Sequence, residues 1–413
     1  MNDTRFYDAR ETRDPEQRES ELFTRLAEHV AHARDNTKAY GLILAHIDPR
    51  EVTDRDSLAT LPLTRKSDLV ERQRQDPPFG DLVAAPRESW QKIFASPGPI
   101  FEPQISRPNY WRLARALFAA GFRAGQIIHN TYSYHLTPAG SMLESGAFAL
   151  GCGVIPGGVG QTEQQIDVIE AIKPDGYVGT PSFLHILLNR ADSLGRDLSC
   201  IKQASVSGEA LPESLRKELG ERGIKIFQTY ATADVGLIAY ETHALDGMIM
   251  DEDVILEIVQ PGSGQPLSPG QVGEVVVTVL NPDYPLIRFA TGDLSAIMPG
   301  VSPCGRTNQR IKGWMGRADQ TTKVRGMFIR PEQVNEVAAR HESVKQFRLL
   351  VSNEDQQDVV ILRCFVENPD ESLESSLIDT IRELCKVRAG VEFVDADSLP
   401  NDGKVIEDVR EYD

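Results

Sequence analysis

Four short segments late in the chain carry residue types able to do chemistry: a Thr-Gly-Asp turn (Thr291, Gly292, Asp293), Gly316-Arg317 with Asp319, the run Lys323 to Gly326, and Gly403-Lys404. In that order they suggest a site that activates a carboxylate with ATP. A carboxylate is a poor electrophile, because its charge is delocalised and hydroxide leaves badly. Making a thioester or amide from it requires converting the oxygen into a phosphate ester. Such a site needs an acid to hold the ribose hydroxyls and a second acid to hold Mg²⁺ beside the phosphates. It also needs a cation that can be brought to the charge developing on the α-phosphate. Asp293, Asp234 and Lys404 could fill those roles in turn.

The rest of the chain must position these groups. Its 413 residues exceed what one core usually holds, so a large body and a smaller lobe are expected. The balance of 44 basic against 61 acidic residues gives a formal charge of −17, which disfavours a broad phosphate-backbone interface. Nucleic acid is not an expected partner, whereas a local cationic pocket for a nucleotide is compatible with this charge. Five cysteines (Cys152, Cys200, Cys304, Cys364, Cys385) lie without CxxC spacing, which argues against a disulfide framework or zinc ribbon and suits a reducing cytoplasm. The N-terminal stretch is charged, and no segment holds 18 uninterrupted apolar residues, so neither export nor membrane insertion is expected.

Residues 15 to 35 predict an amphipathic helix with Leu22, Leu26, His29 and Val30 at helical spacing, and Leu61 to Leu69 a docking turn into a further helix. From Gln126 short apolar runs alternate with helical patterns around Ser141 to Phe148, Gln164 to Ile172 and Phe183 to Arg190. That alternation predicts an α/β fold with βαβ units and a largely parallel sheet flanked by helices. Gly157, Gly158 and Gly160 lie past an apolar run, where ligands meet the carboxyl ends of such strands. VILEIV and GEVVVTVL predict antiparallel strands, giving a β-rich subdomain over about 253–315 within a body spanning 1–318. Residues 319–413 read as a small α+β lobe with a helix from Leu373 to Cys385.

Together the segments LPLTRKSDL, PGGVGQTEQQ, TPSF, YATADVG, YPLIRFATGDL, GRADQTTKVRG and LPNDGKVIEDVRE resemble the phenylacetate-CoA ligase branch of the adenylate-forming enzymes. These also include acyl-CoA synthetases, firefly luciferase and peptide-synthetase adenylation domains. The resemblance covers nearly the whole chain and implies a role for each matching position. Asp293 would grip both ribose hydroxyls, since a carboxylate accepts two hydrogen bonds at once, with Arg317 as a second ribose contact. Asp319 would be the hinge of a mobile lobe. Lys404 would be the catalytic lysine, brought to the α-phosphate and then withdrawn. Gly326 would line the passage for the pantetheine arm of CoA. Ser207, Gly208 and Glu209 would form the adenine-side loop, Tyr230 would stack on the base, and Ala231 and Thr232 would bind nucleotide beside it. Asp234 would hold Mg²⁺, as Glu does in relatives. Tyr132, Tyr134 and His135 would build the acyl pocket, where aromatic residues are equally ordinary core material.

The pattern breaks at the phosphate loop. Against a family sequence of roughly Ser-Ser-Gly-Thr-Thr-Gly-Lys-Pro, the chain has FASPGPIFEP. Ser96, Gly98 and Pro103 remain, while Pro99 and Ile100 replace threonines, Phe101 a glycine and Glu102 the lysine. An anion thus stands where polyphosphate expects a cation, and Pro99 has no N–H to offer. Ala233 removes a further hydroxyl before Asp234. Each hydrogen bond lost to a charged group is worth on the order of 1.5–3 kcal/mol. Glu241, His243 and Cys304 fall near positions that hold structural zinc in some relatives, but their irregular spacing favours no zinc and a buried Cys304.

The expectation is therefore an AMP-forming acid-CoA ligase using ATP, Mg²⁺ and CoA, acting on phenylacetate or a related aromatic acid through an acyl-adenylate. The substituted loop keeps open a second reading, a catalytically impaired homologue that binds nucleotide or acyl-CoA. A third reading is adenylation followed by transfer to a carrier-protein pantetheine or an amine. Partners are small molecules, without nucleic acid or membrane, and a homodimer is compatible with all three.

Overall fold

The computed structural model describes residues 5–96, 100–316, 318, 322–324, 327–354, 357–399 and 404–409. The chain divides into two compact units, Met1–Thr291 with Ser295–Trp314, and Gly292–Leu294 with Met315–Asp413.

The first unit is a mixed α/β body. Its largest sheet has nine strands in the order Ile297–Met298, Arg310–Ile311, Met248–Met250, Gly236–Tyr240, Lys225–Thr232, Gln203–Val206, Gly176–Gly179, Ile127–Asn130 and Gly153–Pro156. From Lys225–Thr232 to Gly153–Pro156 neighbouring strands run parallel. Their connections are the helices Ala139–Leu150, Thr162–Ile172, Pro181–Ser193 and Glu213–Glu221. The first three match the helical patterns read from the sequence. A second sheet pairs Val254–Val259 antiparallel with Gly273–Val279, register Val254 opposite Val279, and adds Leu286–Ser295 and the short strand Thr64–Arg65.

Local chemistry accounts for the N-terminal helix Pro15–Asn36. Asp14 caps it, accepting from the amides of Glu16 and Gln17, and Pro15 stands where a missing N–H does no harm. Its buried stripe includes Leu22, Leu26, His29 and Val30, the face expected from the spacing. A buried ion network fixes the segment around this helix to the body: Glu252 takes Arg13 and Arg18, and Glu11 takes Arg115, Arg306 and the Tyr240 hydroxyl.

The antiparallel strands Trp90–Ser96 and Ile100–Ile105 hold described residues of the segment expected as the phosphate loop, with Phe94 opposite Glu102 and Ser96 opposite Ile100. The helix Lys66–Gln75 holds it: the Gln73 side chain donates to the Phe101 carbonyl at 2.9 Å and accepts the Phe101 amide at 2.7 Å. In the second unit Val344–Glu354 pairs antiparallel with Gln357–Val366, flanked in parallel by Ile406–Asp408 and Gly390–Phe393. The helices Pro331–Ala339 and Glu371–Cys385 close its core over Leu349, Leu362, Leu377 and Ile381. Among the described residues no helix is long and apolar enough to cross a membrane.

Candidate active site

In the first unit the parallel strands end along one edge. Gly176–Gly179 and Gly153–Pro156 lie on opposite sides of Ile127–Asn130, so the connections diverge there, and open α/β sheets form a crevice at such a point. Thr131 and Tyr132 stand at it. The Thr131 amide donates to the Val178 carbonyl at 2.9 Å, and its hydroxyl to that of Tyr177 at 2.8 Å. Tyr132 is buried and its hydroxyl donates to the Gly179 carbonyl at 2.8 Å. One strand further, the Ser207 amide donates to the same carbonyl at 3.3 Å. Gly208 then turns the chain with φ +87°. Glu209 accepts the Ser182 amide at 2.7 Å, at the N-terminal end of the helix Pro181–Ser193, where a negative charge is favoured.

Tyr230, Ala231 and Thr232 complete the next strand. Its ladder with Gly236–Tyr240 shifts register between Tyr230 and Ala231, an irregularity that re-aims side chains. The turn behind it needs Gly236: φ is +74°, and a Cβ there would meet the Trp111 carbonyl oxygen at 2.8 Å. The acyl-side candidates are less uniform. The Tyr134 hydroxyl accepts from Asn130 at 2.8 Å and donates to Glu144 at 3.1 Å; burial and that carboxylate push its pKa up. His135 is exposed.

Asp234 sits at the tip of this turn, 3% exposed. Its Oδ2 holds the Lys66 ammonium at 2.7 Å, and its Oδ1 has no hydrogen-bond partner. Ser96 and Glu102 belong to the same neighbourhood. The Ser96 hydroxyl is 2.5 Å from Glu102 Oε1, and Glu102 is 0% exposed. Burial pushes the Glu102 carboxyl up to about 8; the Ser96 hydrogen bond and Lys66 oppose this rise and the Asp234 charge adds to it. The residue expected at the family's lysine position is therefore turned inward, and burial favours its uncharged form. Among the described residues no three His, Cys, Asp or Glu side chains gather as a metal set. Asp234 as it stands offers a divalent ion one buried oxygen beneath a lysine that already neutralises it, which does not fit a resident metal.

Cys304 is 4% exposed and bonded by the Ser302 hydroxyl at 3.1 Å. Burial would raise its thiol, but hydrogen bonds from Ser302, Arg306 and Thr242 outweigh that and hold it below its ordinary value. Glu241 is committed to Arg216 at 2.8 Å and to the Gln228 amide at 2.6 Å.

The second unit brings together the two segments expected at the ribose. Asp293 is 8% exposed beside Gly292, whose φ is +76°. The adjacent Leu294 amide donates to the Gly316 carbonyl at 2.8 Å, and the Met315 amide returns a bond to Leu294 at 2.9 Å. Arg317, Asp319, Gly326 and, in the loop of the first unit, Gly98 lie outside the described residues. Lys404 is exposed, two residues before the strand Ile406–Asp408, and the neighbouring Val405 carbonyl accepts the Leu349 amide at 2.9 Å.

Residues 112–279 match the model of the AMP-binding enzyme family. The phenylacetate-coenzyme A ligase of Thermus thermophilus is 33% identical over 366 residues, covering 84% of this chain and 80% of that protein. The phenylacetate-coenzyme A ligase of Escherichia coli is 32% identical over 382 residues, covering 88% and 84%. The chain belongs to the phenylacetate-coenzyme A ligase family. The fold agrees with 2-hydroxyisobutyryl-CoA ligase in its postadenylation state with 2-HIB-AMP, at TM-score 0.80 and 23% identity, over 99% of this chain and 93% of that one. Within the phenylacetate-coenzyme A ligase fold, sequence reasoning missed Lys66 and Gln73. Lys66 lies on the segment Leu61 to Leu69, read as a docking turn and as one stretch of the family resemblance, and Gln73 lies in the helix that follows it. The available cue was Asp234 itself, since a carboxylate on a buried turn requires a cation from elsewhere.

Proposed function

We propose that the chain is an AMP-forming acid-CoA ligase for phenylacetate or a related aromatic acid. The observation that carries this reading is the convergence of Tyr132, Ser207 to Glu209 and Tyr230 on one sheet edge at the point where the connections diverge. The acid's carboxylate attacks the α-phosphate of ATP and pyrophosphate leaves. The CoA thiolate then attacks the acyl carbon and AMP leaves. In this reading Ser207 to Glu209 and Tyr230 to Thr232 hold the adenine, and Asp293 with Arg317 the ribose. Lys404 neutralises charge on the α-phosphate. Asp319 serves as hinge, Gly326 admits pantetheine, Ser96 and Gly98 border the phosphates, and Tyr132, Tyr134 and His135 flank the acyl group.

Mg²⁺ would enter this scheme as the counter-ion of ATP, and Asp234, the residue expected to hold it, would be available to it only if Lys66 were displaced. The inward, uncharged Glu102 favours the active reading over the impaired one, because it removes the repulsion expected from an anion in the loop. A cytoplasmic location, small-molecule partners only and a homodimer complete the proposal. Acid-dependent exchange of labelled pyrophosphate into ATP tests it, with phenylacetate first among a panel of aromatic acids. Exchange with at least one acid is expected, and none with any acid would reject the ligase reading.

A further inference from the structure

Glu102 presents a proton-counting problem. The Ser96 hydroxyl lies 2.5 Å from Glu102 Oε1 and 3.3 Å from the Ile100 carbonyl oxygen, two acceptors for the single proton it can donate. Glu102 Oε2 is buried without any hydrogen-bond partner. The ionisable groups facing this carboxyl come from three other elements: Asp234 on the turn after Lys225–Thr232, Lys66 on the helix Lys66–Gln75, and Tyr284 ahead of Leu286–Ser295. Lys66 is already bound to Asp234 at 2.7 Å, and the Tyr284 hydroxyl, on a residue 1% exposed, has no hydrogen-bond partner. An ionised Glu102 would be a second buried anion sharing one lysine, with a bare oxygen. A neutral one resolves the count: it donates its proton to Ser96 Oγ, and Ser96 donates its own to Ile100.

We propose that Glu102 is a positioning residue working as a neutral acid, whose proton locks Ser96 to Ile100 across two paired strands, and whose ionisation unlocks them and weakens nucleotide capture. The nucleotide part rests on the ligase reading. The neutral-acid part stands on burial and hydrogen-bond geometry alone. Ionisation sends the proton to solvent and leaves Ser96 to choose between two acceptors.

The test is calorimetric binding of Mg·ATP to the full chain and to Glu102→Gln across alkaline pH, with infrared detection of the protonated carboxyl. If only the neutral form binds and its midpoint is near pH 8, the native dissociation constant rises about tenfold from pH 7 to pH 9, as the competent fraction falls. The Gln variant keeps the lock without an ionisable proton and should stay flat. The native chain should show a protonated-carboxyl band at neutral pH that fades above pH 8 and is absent from Glu102→Gln. Parallel pH curves for the two chains would overturn the positioning role, and a native chain without the band would overturn the neutral acid. Absence of ATP binding at every pH in both chains, with the band present, would overturn the nucleotide reading and keep the proton lock. If Glu102→Gln fails to fold, the band and binding curve of the native chain decide, and curves that titrate at different pH values would refute the link.

Discussion

Replacing Lys66 by Met should destabilise the protein strongly, and in a manner that depends on pH. The Asp234 side chain is 0% exposed and that of Lys66 28%, so the pair is asymmetric: the lysine can reach water and the carboxylate cannot. Removing the ammonium leaves a buried acid with Oδ1 already unpartnered and Oδ2 newly so. Breaking a buried pair from one side typically costs about 3–5 kcal/mol. The acid's escape is to take up a proton. For an ordinary aspartate of pKa near 3.9 that costs about 4 kcal/mol at pH 7, falling by about 1.4 kcal/mol per unit of acidification. The expected loss is therefore roughly 4 kcal/mol at pH 7 and about 1.5 kcal/mol at pH 5. The sign follows because a carboxyl forced to be neutral in the folded state is favoured at low pH and penalised as pH rises past its unfolded value. Urea unfolding followed by the fluorescence of Trp90 and Trp111, both in the first unit, measures it. Asp234→Asn alone should cost about 1–2 kcal/mol, because Lys66 can turn to solvent, and the double variant should recover part of the Lys66→Met loss. A loss below about 1 kcal/mol for Lys66→Met, or one independent of pH, would refute the reasoning.

Glu102 has the same sign with a different window. Its carboxyl is raised from 4.5 to about 8, so the stability it contributes is fully present below about pH 4.5 and is lost as pH climbs to about 8. Glu102→Gln should flatten that part of the urea-measured profile, a difference on the order of 5 kcal/mol across the window. Gly236→Ala should lower stability by about 1–3 kcal/mol in thermal melts, since the left-handed backbone and the Trp111 carbonyl both oppose a methyl group. Lys404→Ala should slow acid-dependent pyrophosphate release by about 10²–10³. The same variant should change stability by no more than about 1 kcal/mol, the usual scale for a contact at an exposed residue.

What the sequence disclosed and what it withheld divide along physical lines. The helix Pro15–Asn36 was readable because its period, cap and N-terminal proline agree, and the strands Val254–Val259 and Gly273–Val279 because a turn-rich segment separates two β-rich runs. The parallel strands from Ile127 to Gly179 followed from alternation of strand and helix patterns, whereas Ser207 and Tyr230 were marked only by the family resemblance. Glu102 was legible as a departure but not in its consequence. Which face of a hairpin a residue occupies depends on register, and here the register places it inward opposite Phe94. The Lys66–Asp234 pair joins residues 168 positions apart, and no local pattern announces such a contact. Nor did the charges of Glu11, Arg306 and Glu252 look buried, because burial of an ion depends on partners that only folding supplies.

The most direct test of the central claim is to mix the chain with Mg·ATP, phenylacetate and CoA and follow AMP and thioester together by mass spectrometry. The ligase account predicts AMP and phenylacetyl-CoA in equal amounts, with an acyl-adenylate accumulating when CoA is withheld. Saturable ATP binding with neither adenylate nor thioester from any aromatic acid would contradict it and leave a nucleotide-binding homologue in its place.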